Sequence, residues 1–137
     1  MLRIALICIG IVPLAGCEKT SEPTPADFWI GQWKSHERKS MESLLQNPDI
    51  PDAERQSFQS AFGSVIYEFS EKGYRNHVVV DGEPVVTEWI PLQVSKSGRD
   101  FFQFNNESND VVTFYLEGNC IYQYMSKWKN KAYYCQR

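Results

Sequence analysis

Two histidines are the residues of this chain best suited to acid–base chemistry. His36 stands beside Glu37, and His77 stands beside Asn76. A general base needs a reaction partner within hydrogen-bond reach, and neither histidine is paired with a nucleophile in a known pattern. The sequence also lacks a nucleophile elbow, a phosphate-binding loop, a dinucleotide fingerprint and a metalloprotease helix. It therefore predicts no enzyme and no cofactor, with both histidines as exposed or packed structural residues.

The segment Ser126–Lys131 is a second place where residue types point to a function. Trp128 lies between Lys127 and Lys129 in a chain whose net charge is −3. A tryptophan flanked by lysines suits an interfacial anchor for a protein partner or for lipid headgroups. Lys127, Trp128 and Lys129 are therefore the predicted partner-binding residues. The alternative is that Trp128 folds back over its own hairpin.

The N-terminal segment MLRIALICIGIVPLAGC predicts export from the cytoplasm. Arg3 precedes an apolar run, Ile4–Leu14, that is too short to span a bilayer as a mature helix. Leu14-Ala15-Gly16-Cys17 resembles the bacterial lipobox. This resemblance implies a signal peptide over residues 1–16, attachment of acyl chains such as palmitate to Cys17 and, with Glu18, a location on the periplasmic side of the outer membrane. A plain secretory signal is the alternative.

The remaining 121 residues suffice for one domain. Residues 17–26, CEKTSEPTPA, contain two prolines and no large apolar side chain, and predict a tether to a domain over residues 27–137. Arg3 is the only charged residue in the predicted signal peptide, so its removal leaves 13 basic and 17 acidic side chains. This net negative charge disfavours nucleic acid as a partner. No later apolar run reaches membrane-spanning length, so the predicted attachment to the membrane is through lipid.

The cysteines predict one disulfide. If Cys8 leaves with the signal peptide and Cys17 carries lipid, Cys120 and Cys135 remain, and two thiols in an oxidising periplasm are expected to pair. A metal site is disfavoured because the two histidines lie far away in sequence without ligand-like spacing. A hairpin with residues 126–130 as its loop would bring both cysteines within one residue of direct pairing, and a small bulge would join them.

The elements that must position these residues are predicted to be mainly β. Phe28–Ser35 is the expected first strand. A short helix with Ser40 as its N-cap follows, and a second helix begins at Pro51 and ends near Gly63. A period of two then predicts an antiparallel meander barrel of about eight strands in all. The later strands are expected at Val65–Ser70, Tyr74–Val80, Val85–Val94, Phe101–Asn105, Val111–Leu116, Cys120–Met125 and Lys131–Gln136, with Asp81-Gly82 as a hairpin turn.

The predicted first strand carries Phe28, Gly31 and Trp33, and a helix pair and a meander follow it. This motif and order of elements resemble those of the calycins, meaning the lipocalins and especially the fatty-acid-binding proteins. The resemblance implies a barrel plugged by Trp33, with Lys131-x-Tyr133 at the position where an Arg-x-Tyr pair holds a ligand carboxylate. Lysine instead of arginine would supply a point charge rather than a two-pronged contact, and the domain has fewer strands than the ten-strand branch. The alternative is an unrelated α+β sheet whose first strand is aromatic.

Large rings are predicted to fill or line the interior. An eight-stranded barrel holds either packed side chains or one small ligand, and both alternatives stay open. The predicted ligand-binding residues are Lys131, Tyr133, Trp89, Tyr122 and Tyr124. The rings expected to face inward are Tyr67, Phe69, Trp89, Phe102, Phe104, Phe114, Tyr122 and Tyr124.

Two functions of different class follow. The first is a lipid-anchored periplasmic binding protein that holds a small apolar ligand such as an acyl chain. The second is an inhibitor or immunity lipoprotein that blocks a periplasmic hydrolase or toxin by protein contact. An accessory role in envelope assembly is a third possibility. The expected partners are therefore the membrane, through lipid, and either an apolar ligand or a periplasmic protein.

Overall fold

The computed structural model describes residues 27–137. The predicted signal peptide, lipobox and tether lie outside the described residues. The described chain is mainly β, with a pair of short helices after the first strand, which confirms the predicted fold class. The elements are β1 (Gly31–Ser35), α1 (Glu37–Leu44), α2 (Asp52–Ala61), β2 (Ile66–Ser70), β3 (Gly73–Val80), β4 (Glu83–Val86), β5 (Val94–Ser97), β6 (Phe101–Asn105), β7 (Val111–Glu117), β8 (Cys120–Met125) and β9 (Asn130–Gln136).

Nine antiparallel strands form one sheet in the order β4-β3-β2-β1-β9-β8-β7-β6-β5, which curls into a half-barrel. It is a meander in which the first strand pairs with the last, while β4 and β5 form the two edges. The ninth strand arises because Val85–Val94, predicted as one strand, is interrupted at residues 87–93. Pro91 lies in this interruption and has no N–H to donate to a neighbouring strand.

The first strand is shorter than predicted. Residues 27–29 form a turn, closed by the Ile30 N–H donating to the Asp27 carbonyl oxygen at 3.1 Å. β1 then begins at Gly31, whose φ of +133° favours glycine. Phe28 and Trp29 are nevertheless buried with the core. The opening aromatic residues therefore pack inside the half-barrel although only part of the segment is a strand.

Both predicted hairpins form, one of them in a shifted register. Asp81 and Gly82 have φ values of 51° and 82°, as a two-residue type I′ turn requires. In the last hairpin Met125 faces Asn130, so the turn comprises residues 126–129 and is one residue shorter than predicted. Cys120 and Cys135 consequently lie directly opposite each other and form the predicted disulfide without a bulge.

The predicted N-cap of the first helix is wrong. His36 is the N-cap, because its Nδ1 accepts the Lys39 N–H at 3.3 Å, and the helix begins at Glu37. Ser40 is instead a buried residue within the helix. The second helix begins at Asp52, with Pro51 at its N-cap position rather than as its first helical residue. His36 thus has a structural role as the cap of the first helix.

Helix α1 covers the part of β9 that β1 does not reach. β1 ends opposite Tyr134, so the preceding N–H groups of β9 have no strand partner on that side. The Ser40 hydroxyl accepts the Tyr133 N–H at 2.9 Å, and the Ser43 hydroxyl accepts the Lys131 N–H at 2.8 Å. Serines three residues apart share one helix face, so two hydroxyls replace a strand at this edge.

The interior of the half-barrel is filled with aromatic side chains. Phe69, Phe102, Phe104 and Phe114 point inward as predicted and are at most 2% exposed. Their rings stack or meet edge to face at centroid distances of 5.3 to 6.3 Å. Trp33, at 1% exposure, donates its indole N–H to the Trp29 carbonyl oxygen at 2.7 Å. The space inside the sheet is therefore mainly solid core.

Candidate functional site

The structure places two predicted interior tyrosines on the outside. Ile121 is fully buried in the core. Because side chains alternate along a strand, Tyr122 and Tyr124 face outward with Cys120. The prediction that both tyrosines face inward is therefore wrong. The two alternating sets of β8 are each rich in apolar atoms, so the pattern alone does not distinguish the inner set from the outer set.

Five side chains form an aromatic surface on the outer side of β7, β8 and β9. We call this surface the outer tyrosine face, and its members are Tyr115, Tyr122, Tyr124, Tyr133 and Lys131. The Tyr122 ring stacks on Tyr115 with a centroid distance of 5.4 Å and lies 5.4 Å from the tilted Tyr133 ring. Lys131 Nζ lies 4.3 Å from the Tyr122 centroid, within cation–π range. The predicted residues Lys131, Tyr133, Tyr122 and Tyr124 therefore do come together, on the outside of the sheet.

Glu117 organises the charges of this face. Its carboxylate lies 3.5 Å from Lys131 Nζ, and the nearby Tyr133 hydroxyl, followed by the Lys131 charge, lowers the pKa of Glu117. Burial, and then the Glu117 carboxylate, raise the pKa of Tyr133. At neutral pH the carboxylate is therefore ionised and the hydroxyl protonated. Lys39 of α1 adds a second cation, 5.2 Å from the Tyr133 centroid.

Sequence reasoning missed Tyr115, Glu117 and Lys39. A usable signal was present for the first two, because alternation about the buried Phe114 puts both of them on the outer side of β7. No comparable signal marks Lys39. Its place depends on α1 lying against β9, a contact that joins residues far apart in the chain.

A cleft of about 340 Å³ lies between α1 and the β8–β9 hairpin beside this face. Glu42 and Gln46 line it from the helix side, and Tyr124, Lys129 and Lys131 line it from the hairpin. One predicted partner-binding residue, Lys129, thus joins the predicted ligand-binding residues. The cleft is open to solvent and offers hydrogen-bond donors, acceptors and aromatic surface together.

The other two predicted partner-binding residues are tied to helix α2. The Trp128 indole N–H donates to Glu54 Oε2 at 2.6 Å, and Lys127 Nζ lies 3.1 Å from Glu54 Oε1. The hydrogen bond from Lys127 lowers the pKa of Glu54, against an opposing effect of burial. Asn47 also donates to the Trp128 carbonyl oxygen at 3.2 Å. Trp128 therefore folds back, onto α2 rather than onto its own hairpin.

Trp89 and His77 lie in a separate cluster on β2 and β3. The Arg75 guanidinium lies 4.4 Å from the Trp89 centroid, so Trp89 does not join the other predicted ligand-binding residues. Arg75 Nε donates to Glu68 Oε2 at 2.8 Å, and His77 Nε2 lies 2.6 Å from the same oxygen. The hydrogen bonds from Arg75 and then His77 lower the pKa of Glu68. In the described chain this carboxylate is the side-chain hydrogen-bond partner of His77.

A groove of about 1080 Å³ lies between the two helices and the ends of β1 and β9. Met41 and Leu45 supply its apolar surface. Arg38 is paired with Glu42 at 3.2 Å and Arg55 lies 4.0 Å from Asp52. The groove thus offers apolar surface bordered by internal ion pairs, and it contains none of the predicted ligand- or partner-binding residues.

Residues 27–137 contain no group of three or more His, Cys, Asp or Glu side chains placed to hold a metal ion. No helix in this part of the chain is both long and apolar enough to cross a membrane. Comparison of the chain with protein-family models, curated proteins and solved structures finds no match. Its function must therefore be inferred from its own residues.

Proposed function

We propose that this protein is a non-catalytic, lipid-anchored protein on the periplasmic side of the outer membrane that binds another protein through the outer tyrosine face. The observation that carries this proposal is the filled interior, in which Phe102 and Phe114 are fully buried. An acyl chain would need the space that these rings occupy. The inhibitor or immunity function is therefore favoured over the carrier of an apolar ligand.

The composition of the outer tyrosine face supports this function. Tyrosine supplies a large, rigid contact area together with a hydroxyl group, and it is enriched among residues that dominate protein–protein binding energy. Tyr124 is 51% exposed and Tyr115 is 39% exposed, and the Tyr115 ring stacks on Tyr122, which in turn contacts Tyr133. Such a face can bind a periplasmic hydrolase or toxin with little loss of side-chain entropy.

The lipobox resemblance supports the anchor, and the ten residues 17–26 would let the domain reach about 30 Å from the membrane surface if fully extended. Replacing Cys17 with Ala is expected to release the protein from the membrane fraction, because no acyl chain can then be attached. The matched control is Cys8→Ala, which changes a residue of the segment expected to be removed and should leave the protein in the membrane fraction. Membrane retention of the Cys17→Ala variant would contradict lipid anchoring.

Site-specific photo-crosslinking of the anchored protein in cells tests the binding face. A photoreactive phenylalanine at position 124 is expected to give a discrete protein adduct, and adding Tyr122→Ala should reduce the yield at least about threefold, because an interface aromatic contributes on the order of 1 kcal/mol or more. A probe at Val79, which is 56% exposed on β3, is the matched control and should give no such adduct.

Two results would argue against this function. Equal adducts from positions 124 and 79 would mean that the outer tyrosine face has no special role. Native mass spectrometry showing one lipid retained by the gently extracted protein, together with no adduct from position 124, would support the carrier of an apolar ligand.

A further inference from the structure

The cleft between α1 and the β8–β9 hairpin concentrates positive charge. Lys39 lines it from the helix, and Lys129 and Lys131 line it from the hairpin. The whole chain carries a net charge of −3, so three lysines around one cleft depart from the average charge of the molecule. Charge complementarity between two binding surfaces determines which partners are accepted and how fast they associate. The charge of this cleft therefore bears on the chemistry of the partner.

The two acidic residues of the cleft already have cations beside them. Glu42 Oε1 lies 3.2 Å from Arg38 Nη1, and Glu117 Oε1 lies 3.5 Å from Lys131 Nζ. Both acids line the cleft together with the lysines. Among the lining residues that the structure describes, no carboxylate is therefore left to pair with the other two lysines.

Those two lysines are Lys39 and Lys129, and neither forms an ion pair with any residue between 27 and 137. Lys39 Nζ lies 5.2 Å from the Tyr133 centroid, at the edge of the outer tyrosine face, and Lys129 is exposed at the hairpin turn. The Ser43 hydroxyl accepts the Lys131 N–H at 2.8 Å, so its own proton is available to another acceptor. The cleft thus presents charged and neutral donors to an acceptor that the chain itself does not supply.

We propose that the partner of the outer tyrosine face inserts an acidic side chain, aspartate or glutamate, into this cleft. The inference rests on the proposed function and adds the chemistry of the partner. The carboxylate would lie between Lys39 and Lys129, where charge-assisted hydrogen bonds are stronger than neutral ones. Its apolar stem would contact Tyr124, which lines the same cleft. Tyr124 and Lys129 are exposed and Lys39 is half-buried, so a partner can reach all three.

Zero-length crosslinking with a carbodiimide tests this contact directly. The reagent activates a carboxylate, and a lysine amine in contact with it then displaces a urea and forms an amide bond. Applied to cells that carry the anchored protein, the reagent is expected to join Lys39 or Lys129 to an aspartate or glutamate of another protein. Mass spectrometry of the linked peptides identifies both residues. Lys72, exposed at the turn between β2 and β3, is the internal control and should give no such link.

Removing single charges measures their contribution to binding. A photoreactive phenylalanine at position 115 captures the partner while leaving the cleft intact. Lys39→Gln and Lys129→Asn should each reduce the yield of this adduct about two- to fivefold. Asparagine suits position 129, where φ is 52°. Lys72→Gln removes the same charge outside the outer tyrosine face and should leave the yield unchanged.

The outcomes separate this inference from the proposed function. An adduct from position 115 that is equally strong in Lys39→Gln, Lys129→Asn and Lys72→Gln would overturn the acidic partner and leave the protein-binding face standing. A carbodiimide link formed as efficiently from Lys72, or a photo-adduct with an anionic phospholipid instead of a protein, would also overturn it. No adduct from position 115 or 124 would remove the proposed function and this inference together.

Discussion

Replacing Phe102 with Ala is expected to lower the free energy of unfolding by about 3–5 kcal/mol, the range measured when a buried phenylalanine is truncated. Phe102 is fully buried, and its ring lies 5.0 Å from Trp29, 5.3 Å from Phe69 and 5.4 Å from Phe114. Truncation removes contacts on every side, and the closely packed neighbouring rings can refill only part of the space. Chemical denaturation of the detergent-extracted protein, followed by tryptophan fluorescence, measures this change.

The control for this experiment is Tyr124→Ala. This variant removes a ring of similar size from the outer tyrosine face, where the side chain is 51% exposed, and it should change the free energy of unfolding by no more than about 1 kcal/mol. A loss below about 1 kcal/mol for Phe102→Ala would mean that the interior is loosely packed. That result would remove the main argument against an interior apolar ligand and would favour the carrier function.

Replacing Cys135 with Ser is expected to lower the free energy of unfolding by about 3 kcal/mol, because the disulfide closes a loop in the unfolded chain. The bond joins β8 to β9 across 15 residues of sequence. Its effect reaches further than one hairpin, because β9 also pairs with β1 and so connects the two halves of the sheet. Thermal unfolding measured by circular dichroism checks the expectation.

A double variant controls for the thiol that a single replacement leaves behind. Cys120→Ser with Cys135→Ser should be destabilised to a similar degree as Cys135→Ser alone, and a reducing agent should lower the stability of the wild-type protein while leaving the double variant unchanged. An unchanged melting temperature in the variants would mean that β8 and β9 are held together by their ladder and core contacts, with no net contribution from the bond.

The solid core and the proposed binding face are physically connected. Ile121 is fully buried inside the sheet, and its neighbour Tyr122 lies on the outer face. Each strand of β7, β8 and β9 thus places one set of alternate residues in the core and the other on the proposed binding face. A rigid scaffold holds interface side chains in place before a partner arrives, and this lowers the entropic cost of binding.

Local patterns in the sequence were enough to predict the mainly β fold, the helix pair and the Asp81-Gly82 turn, and together with the lipobox resemblance they predicted the pairing of Cys120 with Cys135. These features depend on residues close together in the chain: a period of two, a turn dipeptide that tolerates positive φ, and two cysteines on neighbouring strands. The predicted inward positions of Phe69, Phe102, Phe104 and Phe114 were correct as well, and for Phe69 and Phe104 the polar neighbours on both sides give the reason.

Tertiary structure alone decided which side of β8 faces the core and what the loop at Trp128 contacts. Cys120, Tyr122 and Tyr124 alternate with a set that also contains large apolar side chains, Ile121 and Met125, so packing against the rest of the sheet selects Ile121 for the interior. Trp128 meets Glu54 across 74 residues of sequence. Local propensity carries no information about such a contact, because its energy exists only after the helices and the last hairpin have come together.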